Sequence, residues 1–118
     1  MAFPDFSSLE ELLSTERVRT IERIAALTRD RQGLIDSAAG VGVDDEHDPE
    51  GATIAFERSQ LEAFLELSRR HLTDLDRALR QVRAGDYGTC ETCGEPIASQ
   101  RLAARPTART CITCASRQ

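Results

Sequence analysis

The sequence predicts a mostly α-helical protein, built as a long antiparallel coiled-coil helical hairpin with a small four-cysteine finger at its base. Two long segments repeat apolar residues at helical spacing, and an acidic, Gly-containing loop separates them. All four cysteines fall in two Cys-x-x-Cys pairs near the carboxyl end. We therefore divide the chain into a tail (1–7), a hairpin (8–85) with a tip loop at about 40–52, and a finger (86–118).

The first helix is indicated by apolar residues that recur on one face, with charged residues on the other faces. The apolar positions are Leu13, Thr20 or Ile21, Ile24, Leu27, Leu34 and Ile35. Gly33 lies inside this pattern and costs a helix about 1 kcal/mol relative to Ala, so we expect a bend or a frayed turn near it. Gly40 and Gly42 end the helix.

The tip loop concentrates negative charge. Its five acids are Asp44, Asp45, Glu46, Asp48 and Glu50, and their summed charge equals the net charge of the whole chain, −5. A field this concentrated steers the loop toward basic or metal-bearing surfaces, most strongly at low salt. The alternative is a solvated, flexible loop that binds nothing.

A calcium site is a second alternative for this segment, because the acids from Glu46 to Glu57 resemble the ligand spacing of an EF-hand loop. Two features argue against it. Glu replaces Asp at two of the ligand positions, and Pro49 lies inside the loop.

The second helix is predicted to begin at Pro49, with Asp48 as its cap. Its apolar residues then recur in steps of four and three, the 3.5-residue repeat of a coiled-coil seam. The seam positions are Ile54, Leu61, Leu65, Ser68, Leu72, Leu75, Leu79 and Val82. Gly85 ends the helix.

The two helices are similar in length and are joined by a short loop, which favours an antiparallel pair within one chain. Their apolar stripes also match in length, so each stripe can bury the other. The alternative is a parallel dimer, in which each stripe packs against a second copy.

The finger contains the pairs Cys90–Cys93 and Cys111–Cys114. Two-residue spacing turns both thiolates of a pair toward one ion, and two such pairs form the closed tetrahedral shell of a structural Zn²⁺. A redox dithiol is the alternative, although that motif usually occurs singly beside a βαβ pattern, which this sequence lacks. A module this small buries little apolar surface, so we expect the ion to supply much of its folding free energy.

Several classes of function are not expected. No run approaches the ~18 apolar residues of a membrane span, and the amino terminus lacks the features of a signal peptide, so we expect a cytoplasmic protein. No nucleophilic triad, phosphate-cradling loop or open metal site is evident, so we expect no enzyme. The chain also lacks the basic excess of a DNA-binding protein, so we expect no direct sequence-specific DNA binding.

The residues DYGTCETCGEPI (86–97), RLAARPTA (101–108) and CITC (111–114) are similar to the zinc-finger signature of the DksA/TraR family. The family's architecture also includes the helical hairpin. The resemblance implies a bacterial transcription regulator that holds Zn²⁺ and binds RNA polymerase rather than DNA. Members insert the hairpin tip through the secondary channel of the polymerase toward its catalytic magnesium, and some act together with the nucleotide ppGpp.

The family's tip pattern, Asp-x-x-Asp-x-Ala, is only partly matched. Asp48 matches the first acid, but Gly51 then stands at the second acid and Thr53 at the Ala. A one-residue gap instead places Glu50 at the second acid and Ala52 at the Ala. The polymerase-binding tip implied by the resemblance comprises Asp44, Asp45, Glu46, Asp48, Glu50, Ala52 and Thr53.

Nucleotide binding is expected to be weak or absent. Arg101 and Arg105 match basic positions of the family's finger, which implies contact with a nucleotide or with polymerase. Ala115 stands where well-studied members often carry Lys, and Asp74 falls at another expected Lys. Phosphate binding needs several converging cations, so these two losses should weaken ppGpp binding.

Two other functions remain open from the sequence. The finger of a zinc-ribbon adaptor would bind another protein or RNA, using Arg101 and Arg105. A thiol redox sensor would instead release its zinc when the cysteines are oxidised.

Overall fold

The structure is a computed structural model that describes residues 6–39 and 49–117, with side chains described over 8–39 and 51–117. This part of the chain is mostly helical, with no β-strand and one isolated antiparallel bridge between Thr89 and Pro96. The helices are α1 (Phe6–Ala39), α2 (Pro49–Ala84), α3 (Ser99–Ala104) and α4 (Ile112–Ser116). Among these described helices, none has the length and apolar character needed to cross a membrane.

Helix α1 begins at Phe6, so the last two residues of the predicted tail are helical. Helix ends commonly shift by one or two residues, because the first turn depends on local capping. The helix continues through Gly33 to Ala39, and the frayed turn expected near Gly33 does not occur. The glycine costs this helix stability without ending it.

Helix α2 begins at Pro49, the residue expected in its first turn, so residues 49–52 are helical and not part of a loop. The calcium interpretation is therefore wrong, because an EF-hand needs a sharp turn at its glycine and Gly51 is helical here. At the other end, Gly85 adopts a φ of 82°. The N–H of Asp86 then donates to the carbonyl of Gln81 at 2.9 Å, which closes a Schellman motif.

The described chain forms two compact units, Met1–Val18 with Thr73–Gln118 and Arg19–Leu72. In the first unit, Arg83 Nε donates to Glu10 Oε1 at 2.7 Å, and Arg17 pairs with Asp76. Arg17 lies seven residues after Glu10 on α1, and its partner Asp76 lies seven residues before Arg83 on α2. This order of contacts requires that the two helices be antiparallel. The antiparallel hairpin predicted from the sequence is confirmed.

The first unit contains two apolar clusters. One lies between α1 and α2 and consists of Leu9, Leu13, Leu75, Ala78, Leu79 and Val82. The other lies in the finger and consists of Cys90, Ile97, Leu102 and Cys114. Tyr87 packs against both clusters. Ala103 and Ala104 are exposed, whereas Leu102 is the residue of α3 that is buried.

The second unit buries Thr20 of α1 with Leu65 and Ser68 of α2. All the predicted seam positions of α2 are buried or partly buried. On α1 the buried member of the Thr20/Ile21 pair is Thr20, whereas Ile21 is 40 % exposed.

Candidate metal centre

The first cysteine pair lies on a tight turn of the finger. The N–H of Cys90 donates to the carbonyl of Glu95 at 2.8 Å, and the N–H of Gly94 donates back to Cys90 at 2.9 Å. Gly94 has a φ of 78°, a left-handed backbone conformation that favours glycine. The Thr89–Pro96 bridge closes the turn. Both cysteines are thereby held on one short, hydrogen-bonded loop.

The second pair lies at the start of α4. Cys111 is the N-cap of this helix, and its Sγ accepts a hydrogen bond from the backbone N–H of Cys114 at 3.5 Å. The two pairs are joined by Glu91 and Arg109. The Glu91 N–H donates to the Arg109 carbonyl at 3.0 Å, and the Arg109 side chain donates to the Glu91 carboxylate at 3.0 Å.

The four cysteine sulfurs come together in one cluster. Their Sγ atoms all lie within 4.8 Å of one another, and Cys93 and Cys111 are 3.8 Å apart. A tetrahedral zinc shell with Zn–S bonds of roughly 2.3 Å has S–S edges of about 3.8 Å. All four cysteines are free thiols. The donor set and its spacing therefore fit a structural metal site with four thiolate ligands.

Exposure differs among the four sulfurs and makes the site one-sided. Cys90 and Cys114 are buried in the apolar cluster of the finger, Cys111 is half-buried and Cys93 is exposed. A metal bound here is accessible from the Cys93 side. Its other side is covered by Ile97 and Leu102.

Hydrogen bonds give the cysteine thiols different pKa values. Backbone N–H groups of Cys93 and Cys111 donate to the Cys90 sulfur and lower the pKa of Cys90 to about 6. The backbone N–H of Cys114 likewise lowers the pKa of Cys111. The Cys114 thiol donates to Cys111 and is desolvated, which raises the pKa of Cys114 to about 12. These hydrogen bonds favour the thiolate form more at Cys90 and Cys111 than at Cys114. A cation that takes all four sulfurs as ligands must displace the protons that remain.

One side chain of the finger and one side chain of α2 donate to neighbouring backbone carbonyls of the finger. The Tyr87 hydroxyl donates to the Pro106 carbonyl at 2.7 Å, and the Arg77 guanidinium donates to the Thr107 carbonyl at 2.9 Å. The Arg77 side chain is only 17 % exposed. These contacts cannot be predicted from the sequence, because every residue carries a backbone carbonyl that could act as the acceptor.

The two arginines matched to the family occupy different environments. Arg101 on α3 is half-buried and donates to the Thr110 carbonyl at 2.9 Å, so it is part of the structure of the finger. Arg105 follows α3 and is exposed, and its side chain has no partner within the described residues. Of the two, Arg105 is the one available to a ligand.

The predicted tip is only partly included in the described residues. Asp44, Asp45, Glu46 and Asp48 lie outside the described residues, and so does the side chain of Glu50. Ala52 and Thr53 lie in the first turns of α2 and are exposed.

Known proteins are similar to this chain both in the four-cysteine finger and in the overall fold. Residues 85–118 match the model of the prokaryotic dksA/traR C4-type zinc finger. A solved structure of transcription factor DksA2 from Pseudomonas aeruginosa has a TM-score of 0.78 and 29 % identity, and the match covers 96 % of this chain and 81 % of that one. The chain therefore carries a zinc finger of the dksA/traR C4 type, and its fold is similar to that of DksA2 over nearly its whole length.

Curated relatives match this chain over shorter stretches. The RNA polymerase-binding transcription factor DksA of Caulobacter vibrioides is 55 % identical over 40 residues, which is 34 % of this chain and 28 % of that protein. Protein YteA of Bacillus subtilis is 37 % identical over 75 residues, 64 % of this chain and 31 % of that protein. The matched segments thus span less than a third of either relative. DksA and DksA2 are named as transcription factors and not as enzymes.

Proposed function

We propose that this chain is a member of the DksA/TraR family and a bacterial transcription regulator that binds RNA polymerase. One observation carries the proposal: the likeness to transcription factor DksA2 covers 96 % of this chain, so it includes both long helices as well as the finger. The DksA relatives are named for polymerase binding. Bacterial polymerase works in the cytoplasm, which is the location we propose.

We propose that Cys90, Cys93, Cys111 and Cys114 hold a single Zn²⁺. Four thiolates complete its preferred tetrahedral shell and leave no position open for a substrate. The ion therefore supplies folding free energy to the finger and takes part in no reaction. The finger in turn packs on the end of the hairpin through Tyr87 and Arg77.

We propose that the tip acts inside the secondary channel of the polymerase. Five acids within residues 44–50 supply a strong local negative field, and in the sequence they lie where α1 gives way to α2. Asp48 and Glu50 are the acids matched to the family pattern. Both would act near the catalytic magnesium, where carboxylates interact favourably with the metal ion and its basic surroundings.

We propose that ppGpp contributes little. Arg101 already donates to the Thr110 carbonyl, and Asp74 lies 3.8 Å from Arg77, where it adds negative charge to this end of α2. Arg105 alone cannot supply the converging cations that a polyphosphate needs.

A transcription assay with purified polymerase tests the tip. Asp48→Asn and Glu50→Gln each remove one charge with little change in size, and we expect each to raise the protein concentration needed for half-maximal effect by on the order of tenfold. Glu11→Gln is the matched control, because Glu11 is an exposed acid of α1 outside the tip. Wild-type activity in both tip variants would place the function elsewhere.

A finger-based adaptor is the second candidate, and one observation favours it. Residues 97–118 contain four arginines and no acid, and Arg105 is exposed. The adaptor predicts that Arg105→Ala abolishes partner binding while Asp48→Asn has no effect, and the polymerase regulator predicts the larger effect at Asp48. Arg80→Ala, at another exposed arginine, is the control.

A further inference from the structure

Two residues that are not metal ligands join the two cysteine pairs of the finger. Glu91 lies between Cys90 and Cys93, and Arg109 lies two residues before Cys111. The Arg109 Nε donates to the Glu91 carboxylate at 3.0 Å, and the Glu91 N–H donates to the Arg109 carbonyl at 3.0 Å. We call these two hydrogen bonds the clasp. Each pair of cysteines is thus attached to the other by a side-chain contact and a backbone contact.

The backbone contact of the clasp favours the side-chain contact. An exposed ion pair usually contributes little, because two long side chains lose conformational freedom when they meet. Here the backbone hydrogen bond already fixes the distance between Glu91 and Arg109, so less freedom remains to be lost. The segment that carries Arg109 is held as well, because Arg101 donates to the carbonyl of Thr110 at 2.9 Å.

The charges of the clasp are accessible to water. The Glu91 side chain is 45 % exposed and the Arg109 side chain is 53 % exposed. A third charge, Arg77 of α2, is nearby. Burial lowers the pKa of Arg77 and the charge of Arg109 lowers it further, whereas the charge of Glu91 raises it. Glu91 therefore interacts favourably with both arginines, and salt should weaken these interactions.

The position of the clasp relates it to metal exchange. For a Zn²⁺ bound by all four thiolates to leave, one cysteine pair must move away from the other. Glu91 belongs to the loop of the first pair, and Arg109 belongs to the segment that leads into the second pair. Such a movement must therefore break both hydrogen bonds of the clasp.

We propose that Glu91 and Arg109 are positioning residues that hold the two cysteine pairs together and slow the release of zinc from the finger. This role rests on the zinc site proposed above and extends it to two side chains that are not ligands. Residues of this kind orient the ligands of a metal and affect how tightly it is held.

Arg109→Gln and Arg105→Gln form a matched pair, because both arginines are exposed residues of the finger and only Arg109 belongs to the clasp. The zinc-loaded proteins are mixed with an excess of a chromogenic chelator, and zinc release is followed by absorbance. We expect Arg109→Gln to release zinc about two- to fivefold faster than the wild type, the range for an exposed ion pair. Arg105→Gln should match the wild type. Equal rates in all three proteins would overturn the proposal.

Salt separates a role of charge from a role of packing. The ratio of the Arg109→Gln rate to the wild-type rate should fall toward one at about 1 M NaCl, because charges on exposed side chains are screened there. A ratio that does not change with salt would contradict an ionic clasp.

A charge exchange provides a rescue. Glu91→Arg should speed zinc release more than Arg109→Glu, because it adds a third positive charge beside Arg77 and Arg109. The double variant restores opposite charges, and its release rate should return close to that of the wild type. A double variant that releases zinc as fast as Glu91→Arg would overturn the proposal.

Elemental analysis and circular dichroism of each purified protein precede the release assay. We expect one zinc ion per chain and equal helical content in all of them. A wild type without zinc would overturn both the metal site and the clasp. One zinc ion per chain, together with equal release rates, would overturn the clasp alone and leave the metal site in place.

Discussion

Tyr87 shows how one side chain joins the two apolar clusters of the first unit. Its ring packs against both the hairpin cluster and the finger cluster, and its hydroxyl donates to the Pro106 carbonyl. Arg77 makes the equivalent contact to the next carbonyl, at Thr107. Together these two residues fix how the finger packs on the end of α2.

We predict that Tyr87→Phe costs about 1 kcal/mol of unfolding free energy near neutral pH, since it removes one hydrogen bond and little packing. Burial raises the pKa of Tyr87 above its ordinary value of 10.0, although the charge of Arg77 opposes this in part. The folded protein thus favours the neutral phenol. That stabilisation is complete below pH 10.0 and is lost as pH rises through the folded-state pKa.

The test is a series of urea unfolding curves for both proteins at increasing alkaline pH. The gap in unfolding free energy between wild type and Tyr87→Phe should narrow as pH rises. Tyr87 is the only tyrosine, so phenolate absorbance reports its ionisation directly. A gap that stays constant up to full ionisation would contradict the role assigned to burial.

At the scale of the elements, two glycines of the long helices have opposite roles. Gly33 lies within α1 and has an ordinary helical backbone, whereas Gly85 ends α2 with a φ of 82°. A Cβ added at either position meets nothing within 4 Å. The two sites therefore differ in backbone conformation and not in the space available.

We predict that Gly33→Ala raises the unfolding free energy by about 1 kcal/mol, because Ala restricts the unfolded chain and favours the helix. Gly85→Ala should lower it by about 1 kcal/mol or more, because Ala disfavours the left-handed conformation. Denaturant midpoints measured by circular dichroism give both values. Shifts of the same sign would show that backbone conformation does not determine the effect of these two substitutions on stability.

At the scale of the whole molecule, the proposed zinc ion lies in only one of the two compact units. Two of its proposed ligands, Cys90 and Cys114, also belong to the apolar cluster of the finger. The second unit, Arg19–Leu72, contains no cysteine and is stabilised by its own seam residues. Loss of the metal should therefore destabilise the finger and leave the second unit folded.

We predict that a strong chelator releases one zinc ion per chain and makes all four thiols reactive to a thiol reagent. Structural zinc contributes on the order of 10 kcal/mol in small fingers, so the finger should unfold without it. Hydrogen exchange followed by mass spectrometry should then show faster exchange from Gly88 to Cys114. Peptides from Arg58 to Leu72 should keep their protection, and equal loss in both regions would contradict the prediction.

The sequence by itself determined the long helices, the α2 seam and the four cysteines that cluster in the finger. These features depend on local spacing: a 3.5-residue repeat from Ile54 to Val82, and two residues between the cysteines of each pair. The family signature in the finger was equally local. Helix ends were less certain, as residues 49–52 show, because capping is decided by weak local interactions.

Only the tertiary structure decided how the finger packs on α2 and which arginine is available to a ligand. Tyr87 and Pro106 are 19 residues apart, and Arg77 and Thr107 are 30 residues apart. Their acceptors are backbone carbonyls, which every residue carries, so the sequence gives no sign of the contact. Likewise, the sequence alone does not distinguish Arg101 from Arg105. They differ because the chain folds back and offers the Thr110 carbonyl to Arg101 alone.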